Sequence, residues 1–111
     1  EKYAGALPMW LMPEQVRVLP ISEKFLDKAL EVDRELKAQG IRSTADSRNE
    51  KIGYKIREAQ MEKIPYMLII GEKEVQENVV SVRSRKDGVL GSMSLETFLE
   101  KALTEIREKT K

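Results

Sequence analysis

The sequence predicts an α/β fold built on a mixed sheet. Strand-like and helix-like patterns alternate along the first 70 residues, which favours parallel strands joined by right-handed crossovers. The run 66–70 is almost wholly apolar, as in a strand that is buried on both faces. Residues 79–85 alternate in polarity before a Lys-Asp-Gly turn, which indicates a hairpin and adds antiparallel pairing.

The first strand and helix are predicted within residues 16–39. Residues 16–21 form a short apolar strand, and Ser22 is a good N-cap for the helix that follows. Apolar residues then recur at helical spacing as far as Leu36. Gly40 stands where a C-terminal cap is expected, so the helix is predicted over residues 23–39.

A second strand (41–45) leads into a helix predicted over residues 48–63. The apolar stripe of this helix consists of Ile52, Ile56 and Ala59. Ser47, with Glu50 three residues later, fits a capping box at its start. Gly53 inside the helix costs about 1 kcal/mol relative to alanine. Close packing on the sheet or close approach of a ligand would explain that glycine, and the sequence leaves both explanations open.

The two ends of the chain carry weaker signals. Prolines interrupt residues 1–15, so this lead-in is predicted to be irregular, with Trp10 as a core anchor. At the other end, Ser94 caps a final amphipathic helix whose apolar stripe ends at Ile106. The tail, residues 107–111, is predicted to be frayed.

Composition narrows the class of protein. The 111 residues suffice for one domain, and a net charge of +1 means that any nucleic-acid partner must be held by local placement of charge. The absence of cysteine and histidine excludes disulfides, thiolate metal sites and catalysis through an imidazole or a thiol. No apolar run of about 18 residues occurs, so no membrane-spanning segment is predicted. These features favour a binding module over an enzyme.

Polar residues follow the second and third predicted strands, at 46–51 and 71–74. The carboxyl ends of parallel strands meet at one edge of a sheet, where open α/β sheets bind ligands. A helix N-terminus attracts anions, and Arg48, Lys51 and Lys55 lie close enough in the sequence to hold phosphates there. The alternative is a solvated charged rim whose ion pairs contribute less than about 1 kcal/mol each. Chemistry alone favours that alternative.

RNA recognition suits two further residues. A guanine presents O6 and N7 as acceptors for an arginine, and its N1–H and N2–H groups donate to a carboxylate. Glu74 and Arg83 would make both contacts if they met at one end of the sheet. Single-stranded RNA exposes its base edges for this kind of reading.

Residues 46–58 resemble the anticodon-binding domain of class II aminoacyl-tRNA synthetases, and the run RNEKIGYKIRE (48–58) carries most of the specificity. Further segments agree in order and spacing: 8–15, 64–68, 71–75, 80–85 and 91–93. The resemblance covers nearly the whole chain and is strongest to the threonyl-tRNA synthetases. The prolyl, glycyl and histidyl relatives match residues 48–58 less well.

The resemblance implies a mixed, roughly five-stranded sheet flanked by three helices, and the anticodon loop of threonine tRNA as the partner. It assigns the reading of the middle anticodon G to Glu74 and Arg83, and a contact with the neighbouring U to Asn49. The RNA-positioning residues expected from the resemblance and from the chemistry together are Arg48, Lys51, Lys55, Lys73 and Arg85.

The resemblance also implies a longer parent protein. Residues 1–15 would lead in from a preceding catalytic domain, and residues 16–111 would form the anticodon-binding domain. ATP, magnesium and zinc would bind only that catalytic domain, so no catalytic residue, metal or cofactor is expected in residues 1–111. The parent is expected to be a cytoplasmic homodimer that does not bind membranes.

Three alternatives remain open at this point. The first is an accessory module that uses the same fold for protein–protein contact. The second is the anticodon-binding domain of a related synthetase of the prolyl type. The third is a free-standing binder of a small ligand or anion at the strand ends. Anticodon preference distinguishes the leading hypothesis from the first and third of these, because phosphate-driven binding is insensitive to base identity.

Overall fold

Five strands form a single sheet in the computed structural model, which describes residues 14–48, 50–85 and 88–107. The strands are β1 (Val16–Pro20), β2 (Ser43–Ala45), β3 (Tyr66–Ile70), β4 (Val80–Ser84) and β5 (Gly88–Met93). The helices are α1 (Leu26–Ala38), α2 (Ile52–Met61), α3 (Glu72–Glu77) and α4 (Leu95–Arg107). Residues 1–13 of the predicted lead-in with Trp10, Asn49, residues 86–87 of the predicted turn and residues 108–111 of the predicted tail lie outside the described residues.

The sheet is mixed, as the sequence predicts. Its strand order is β2-β1-β3-β4-β5. Strand β1 lies between β2 and β3 and runs parallel to both. Strand β4 pairs antiparallel with β3, and β5 pairs antiparallel with β4. The crossover helices α1 and α2 therefore join parallel strands, whereas β4 and β5 form the predicted hairpin.

Two apolar clusters of unequal size cover the two faces of the sheet. The larger cluster packs α1 and α4 against one face and includes Val16, Val18, Leu68, Val82 and Phe98. The smaller cluster packs α2 against the other face and consists of Leu19, Ala59, Ile64 and Met67, with three partly buried isoleucines around them. No residue of β4 or β5 belongs to the smaller cluster. Within the described ranges, the second face of β4 and β5 is therefore bare of helices.

Backbone geometry confirms the predicted end of α1 and the predicted start of α4. Gly40 has a φ of +83°, and its N–H donates to the Lys37 carbonyl at 3.0 Å, while Ile41 N–H donates to the Leu36 carbonyl. This pair of bonds is the Schellman arrangement, which satisfies carbonyls that the helix leaves unpaired. At α4, the Ser94 hydroxyl accepts from the Thr97 N–H at 3.2 Å.

Helix α2 begins later than predicted, so the Ser47–Glu50 capping box is wrong. The N-cap position is Lys51, which makes no side-chain capping bond. The Asp46 carboxylate instead accepts from the Arg48 main-chain N–H at 3.1 Å. This local turn competes with helix formation, as short acidic side chains often do.

Two further differences concern helix number and helix type. The resemblance implies three helices, whereas the structure has a fourth, α3, which is only six residues long. Such a short helix shows too little periodicity for a sequence pattern to reveal it. The predicted first turn of α1 is a 3-10 helix, Glu23–Phe25, and Ser22 makes no side-chain capping bond there. No helix in the described part of the chain is long and apolar enough to cross a membrane.

Candidate nucleic-acid interface

The bare face of β4 and β5 carries small polar side chains around one guanidinium group. Residues that are directly paired across strands point to the same face. Arg83 pairs with Met67 of the smaller cluster, and Ser81 pairs with Ser92, so all of these side chains lie on the face that α2 covers only in part. Val89, opposite Arg83, is 62% exposed. This half of the sheet offers an open platform with hydrogen-bonding groups.

Helix α3 places Glu74 at the carboxyl end of β3. The helix starts immediately after Gly71, and the Oε1 atom of Glu74 accepts a hydrogen bond from the Gly71 N–H at 2.7 Å. That bond satisfies one of the N–H groups that a helix N-terminus leaves unpaired. Glu74 is only 9% exposed. Its orientation is thus set by its own helix.

Glu74 and Arg83 belong to the same half of the sheet but do not contact each other. Arg83 pairs with Met67, three residues before the last residue of β3. At roughly 3.3 Å per residue, the Arg83 Cα lies about 10 Å along the sheet from the strand end where α3 begins. No hydrogen bond or ion pair joins the two side chains among the described residues. A base that both residues read would have to lie between them.

Arg48 is engaged by two carboxylates. Its Nε donates to Asp46 Oδ1 at 2.9 Å and its Nη2 to Asp46 Oδ2 at 2.8 Å. The same Nη2 donates to the carboxylate of Glu58 in α2. The guanidinium also lies 5.7 Å from the centre of the Tyr54 ring, a cation–π distance. Carboxylates of the protein thus hold Nε and Nη2, while the side chain of Arg48 is 45% exposed, so its predicted contact with phosphate stays a prediction.

Lys55 lies inside the protein, which corrects its predicted role at the surface. It is 2% exposed, and its Nζ donates to the main-chain carbonyls of Pro20 at 3.2 Å and Asp46 at 3.4 Å. These carbonyls mark the ends of β1 and β2. Position 55 follows Ile52 by three residues, and residues three apart share a helix face, so it lies on the inner face of α2. A phosphate cannot reach Nζ in this arrangement.

The other predicted cations lie at different edges of the domain. Lys51 and Lys73 are exposed beside the carboxyl ends of β2 and β3. Arg85 follows β4 at the opposite end of β3, where its Nη1 donates to the Lys63 carbonyl at 2.8 Å. Burial lowers the pKa of Arg85. Asn49, predicted to contact the U, lies outside the described residues, and its role stays a prediction.

Electrostatics around Arg48 stabilise the charged forms of its partners. Hydrogen bonding from Arg48 lowers the pKa of Asp46 below its ordinary value of 3.8, and the same guanidinium lowers the pKa of Glu58 below 4.5. The two carboxylates in turn raise the pKa of Arg48. All three groups are therefore charged at neutral pH.

Sequence reasoning missed Glu58 as a partner of this site. Asp46 and Arg48 are two residues apart, a spacing that allows a local turn and pair to be anticipated. Glu58 is ten residues beyond Arg48. No local pattern links the two positions, because the contact depends on how α2 returns along the sheet.

Comparison with known proteins identifies the family. A family model described as "Anticodon binding domain" matches residues 15–105. The threonine–tRNA ligase of Caldanaerobacter subterraneus subsp. tengcongensis is 62% identical over 109 residues, and that of Acetivibrio thermocellus is 58% identical. Each match covers 98% of this chain but 17% of the relative, so the chain spans about a sixth of the length of these relatives.

A solved structure shares the fold. The crystal structure of the RNA binding domain of threonyl-tRNA synthetase from Cryptosporidium parvum Iowa II superimposes with a TM-score of 0.86 at 36% sequence identity. The match covers 92% of this chain and 26% of that chain. The fold expected from the sequence is therefore confirmed, with one helix more than the three that were expected.

Proposed function

The chain belongs to the family of anticodon binding domains, and on that premise we propose that it binds the anticodon loop of threonine tRNA. It would do so as the non-catalytic module of a threonine–tRNA ligase. Relatives that are 56–62% identical to it carry that name. The observation that carries the proposal is the bare face of β4 and β5, which lies beside Glu74 and Arg83 in a chain of this family.

A bare sheet face suits an unpaired loop of RNA. Single-stranded bases splay out and lie on a protein surface, where their edges are read by side chains and their backbone by cations. Ser81, Ser92 and Arg83 supply hydrogen-bonding groups on this face, and exposed Val89 supplies apolar surface. A helix across the same face would block such a loop.

Each side chain has a distinct task in this proposal. Arg83 donates to O6 and N7 of the middle G, and Glu74 accepts from its N1–H and N2–H groups. Because Oε1 of Glu74 already accepts from Gly71 N–H, we assign the base contact to Oε2, which accepts no hydrogen bond among the described residues. Lys51 and Lys73 are exposed and hold phosphates, and Asn49 contacts the U.

The parent protein supplies the chemistry. We propose that ATP, magnesium and zinc bind a catalytic domain that precedes this one, and that residues 1–15 connect the two. The parent forms a homodimer in the cytoplasm. The chain's own contribution is selection of the tRNA, because no step of aminoacylation is assigned to residues 1–111.

The test is a titration of Arg83→Ala with two anticodon stem-loops that differ only in a middle G or A. Wild type is expected to prefer the G loop, and Arg83→Ala to lose most of that preference, because one bidentate base contact discriminates by about 1–3 kcal/mol. Arg85→Ala is the matched control, since it removes the same group two residues further along the chain, where Arg85 Nη1 donates to the Lys63 carbonyl. Arg85→Ala should leave the ratio of the affinities for the G and A loops unchanged.

Two outcomes would contradict the proposal. An unchanged preference ratio in Arg83→Ala would remove Arg83 from base reading. Wild-type binding without preference, and with a steep dependence on salt, would indicate contact with phosphate alone and favour the protein-interaction alternative.

A further inference from the structure

Glu58 of α2 binds the loop between β2 and α2 (residues 46–51), and the proposed function gives this acidic residue no role. Glu58 projects from α2, and its carboxylate binds Arg48 and accepts from the Tyr54 hydroxyl at 3.2 Å. An acid close to an RNA-binding loop opposes a polyanionic partner through its charge. The position of Glu58 therefore needs an explanation other than direct contact with RNA.

Arg48 joins the loop to the helix. Its guanidinium forms two parallel hydrogen bonds with Asp46, at the start of the loop, and a third with Glu58, in the second half of α2. Charge-assisted, bidentate pairs of this kind add geometric specificity as well as energy. The Arg48 main-chain N–H also donates to Asp46, so the backbone of the loop is bound by the same pair.

Asp46 is also bound through its backbone to groups in the protein interior. The N–H of Asp46 donates to the Val18 carbonyl at 2.9 Å, and its carbonyl accepts from the buried Nζ of Lys55. Asp46 is thus bound through its N–H, its carbonyl and both carboxylate oxygens. The first half of the loop has its direction set by β1 and α2 together.

We propose that Glu58 is a positioning residue for RNA binding, acting through Arg48 to hold the β2–α2 loop in the orientation that receives the anticodon. This inference rests on the proposed function. Lys55 then serves RNA binding without touching RNA, while exposed Lys51 makes the phosphate contact. Loss of the Glu58 carboxylate leaves Asp46 as the one carboxylate bound to Arg48 in the described part of the chain and removes the ion pair between Arg48 and α2.

A repulsive role and a positioning role for Glu58 predict opposite effects of Glu58→Met on RNA binding. If the carboxylate acted only as a repulsive charge, its removal would tighten RNA binding. If it positions the loop, removal weakens binding to the threonine stem-loop by about tenfold and reduces the preference for U over C beside the middle G, a loss comparable to that of one base contact. Binding is measured at a temperature at which circular dichroism shows each variant to be folded.

Two control variants separate the explanations. Glu50→Met removes the same charge from an exposed residue of the same loop, which makes no hydrogen bond or ion pair among the described residues. It should bind RNA at least as tightly as wild type. Glu58→Gln keeps an oxygen that accepts from Arg48, so it should recover most of the preference for U.

A measurement without RNA accompanies the titration. Hydrogen exchange of the Arg48 amide, which donates to Asp46 in the wild type, should be faster in Glu58→Met and unchanged in Glu50→Met. Tighter or equal binding by Glu58→Met, or unchanged exchange at Arg48, would overturn this inference while wild-type preference for the threonine anticodon still supported the proposed function. Wild-type binding without any anticodon preference would overturn both.

Discussion

At the scale of single residues, the partners of each cation decide whether it is available to RNA. Lys55 is buried and bonded to two carbonyls, and Arg48 is bonded to two carboxylates. Burying the charge of Lys55 without such partners would be costly, whereas the side chain of Arg48 is 45% exposed. Lys51 and Lys73 are exposed instead. Of these four basic residues, which look equivalent in the sequence, Lys55 is withdrawn from solvent, Arg48 is exposed but held by ion pairs, and Lys51 and Lys73 are exposed.

The Arg48 cluster predicts a dependence of stability on acid. The folded state lowers the pKa of Asp46 and Glu58 below 3.8 and 4.5, so the unfolded chain binds protons more readily. The stability contributed by these carboxylates is complete above about pH 5 and declines as the pH falls through their folded-state pKa values. In urea denaturation followed by circular dichroism, wild type should exceed Arg48→Met in midpoint at pH 7. The two midpoints should converge as the pH falls below 4.5 and 3.8, the ordinary pKa values of the two groups.

A difference between the two midpoints that stays constant with pH would contradict this assignment. Lys51→Met provides the control, because Lys51 makes no ion pair among the described residues and its removal should not alter the slope against pH.

At the scale of elements, α2 carries a glycine that the fold does not require. In the part of the chain that the structure describes, a Cβ atom built on Gly53 meets no atom within 4 Å beyond its chain neighbours and the backbone of its own helix, so close packing on the sheet, one of the two explanations left open by the sequence, is wrong. Gly40, by contrast, ends α1 with a positive φ that side chains disfavour. Gly53 thus affects stability through helix propensity, whereas Gly40 is needed for its backbone conformation.

Replacement of these glycines by alanine should change stability in opposite directions. Gly53→Ala should raise the free energy of unfolding by about 0.5–1 kcal/mol, because alanine loses less backbone freedom in a helix. Gly40→Ala should lower it by about 1 kcal/mol, because a left-handed residue with a Cβ is strained. Urea denaturation measures both. A destabilised Gly53→Ala would show that position 53 is sterically constrained after all.

At the scale of the whole molecule, the sheet is covered asymmetrically. The larger cluster spans the face beneath α1 and α4, where the Phe98 ring packs edge-to-face on Tyr66 with centroids 5.3 Å apart. The smaller cluster beneath α2 leaves β4 and β5 uncovered on the other face. The domain thus concentrates its stability on one side and keeps surface available on the other.

This asymmetry predicts unequal costs for two apolar substitutions. Phe98→Ala should lower the free energy of unfolding by about 3–5 kcal/mol, because it removes a fully buried ring and leaves a cavity. Val89→Ala on the bare face should change it by no more than about 0.5 kcal/mol, since little of its surface is buried. Circular dichroism during urea denaturation measures both values. Equal losses for the two variants would contradict the one-sided core.

The sequence predicted the strands, the crossovers, the hairpin and two helix caps well. These features depend on alternation or on residues a few positions apart, as at Gly40 and Ser94. It failed at the start of α2 and at α3, where a local turn and a very short helix leave no periodic signal. Of the candidate site, it identified the residue types at the strand ends but placed the buried Lys55 at the surface and omitted Glu58 as a partner of Arg48.

The α/β class and the family follow from the order of residues along the chain. Which cations face solvent and which half of the sheet stays bare depends on how the helices pack on the sheet. Those properties arise from contacts between distant positions, such as Lys55 with Pro20, 35 residues apart, and Arg48 with Glu58. A local pattern cannot encode such a contact, since it exists only once helix and sheet have packed together.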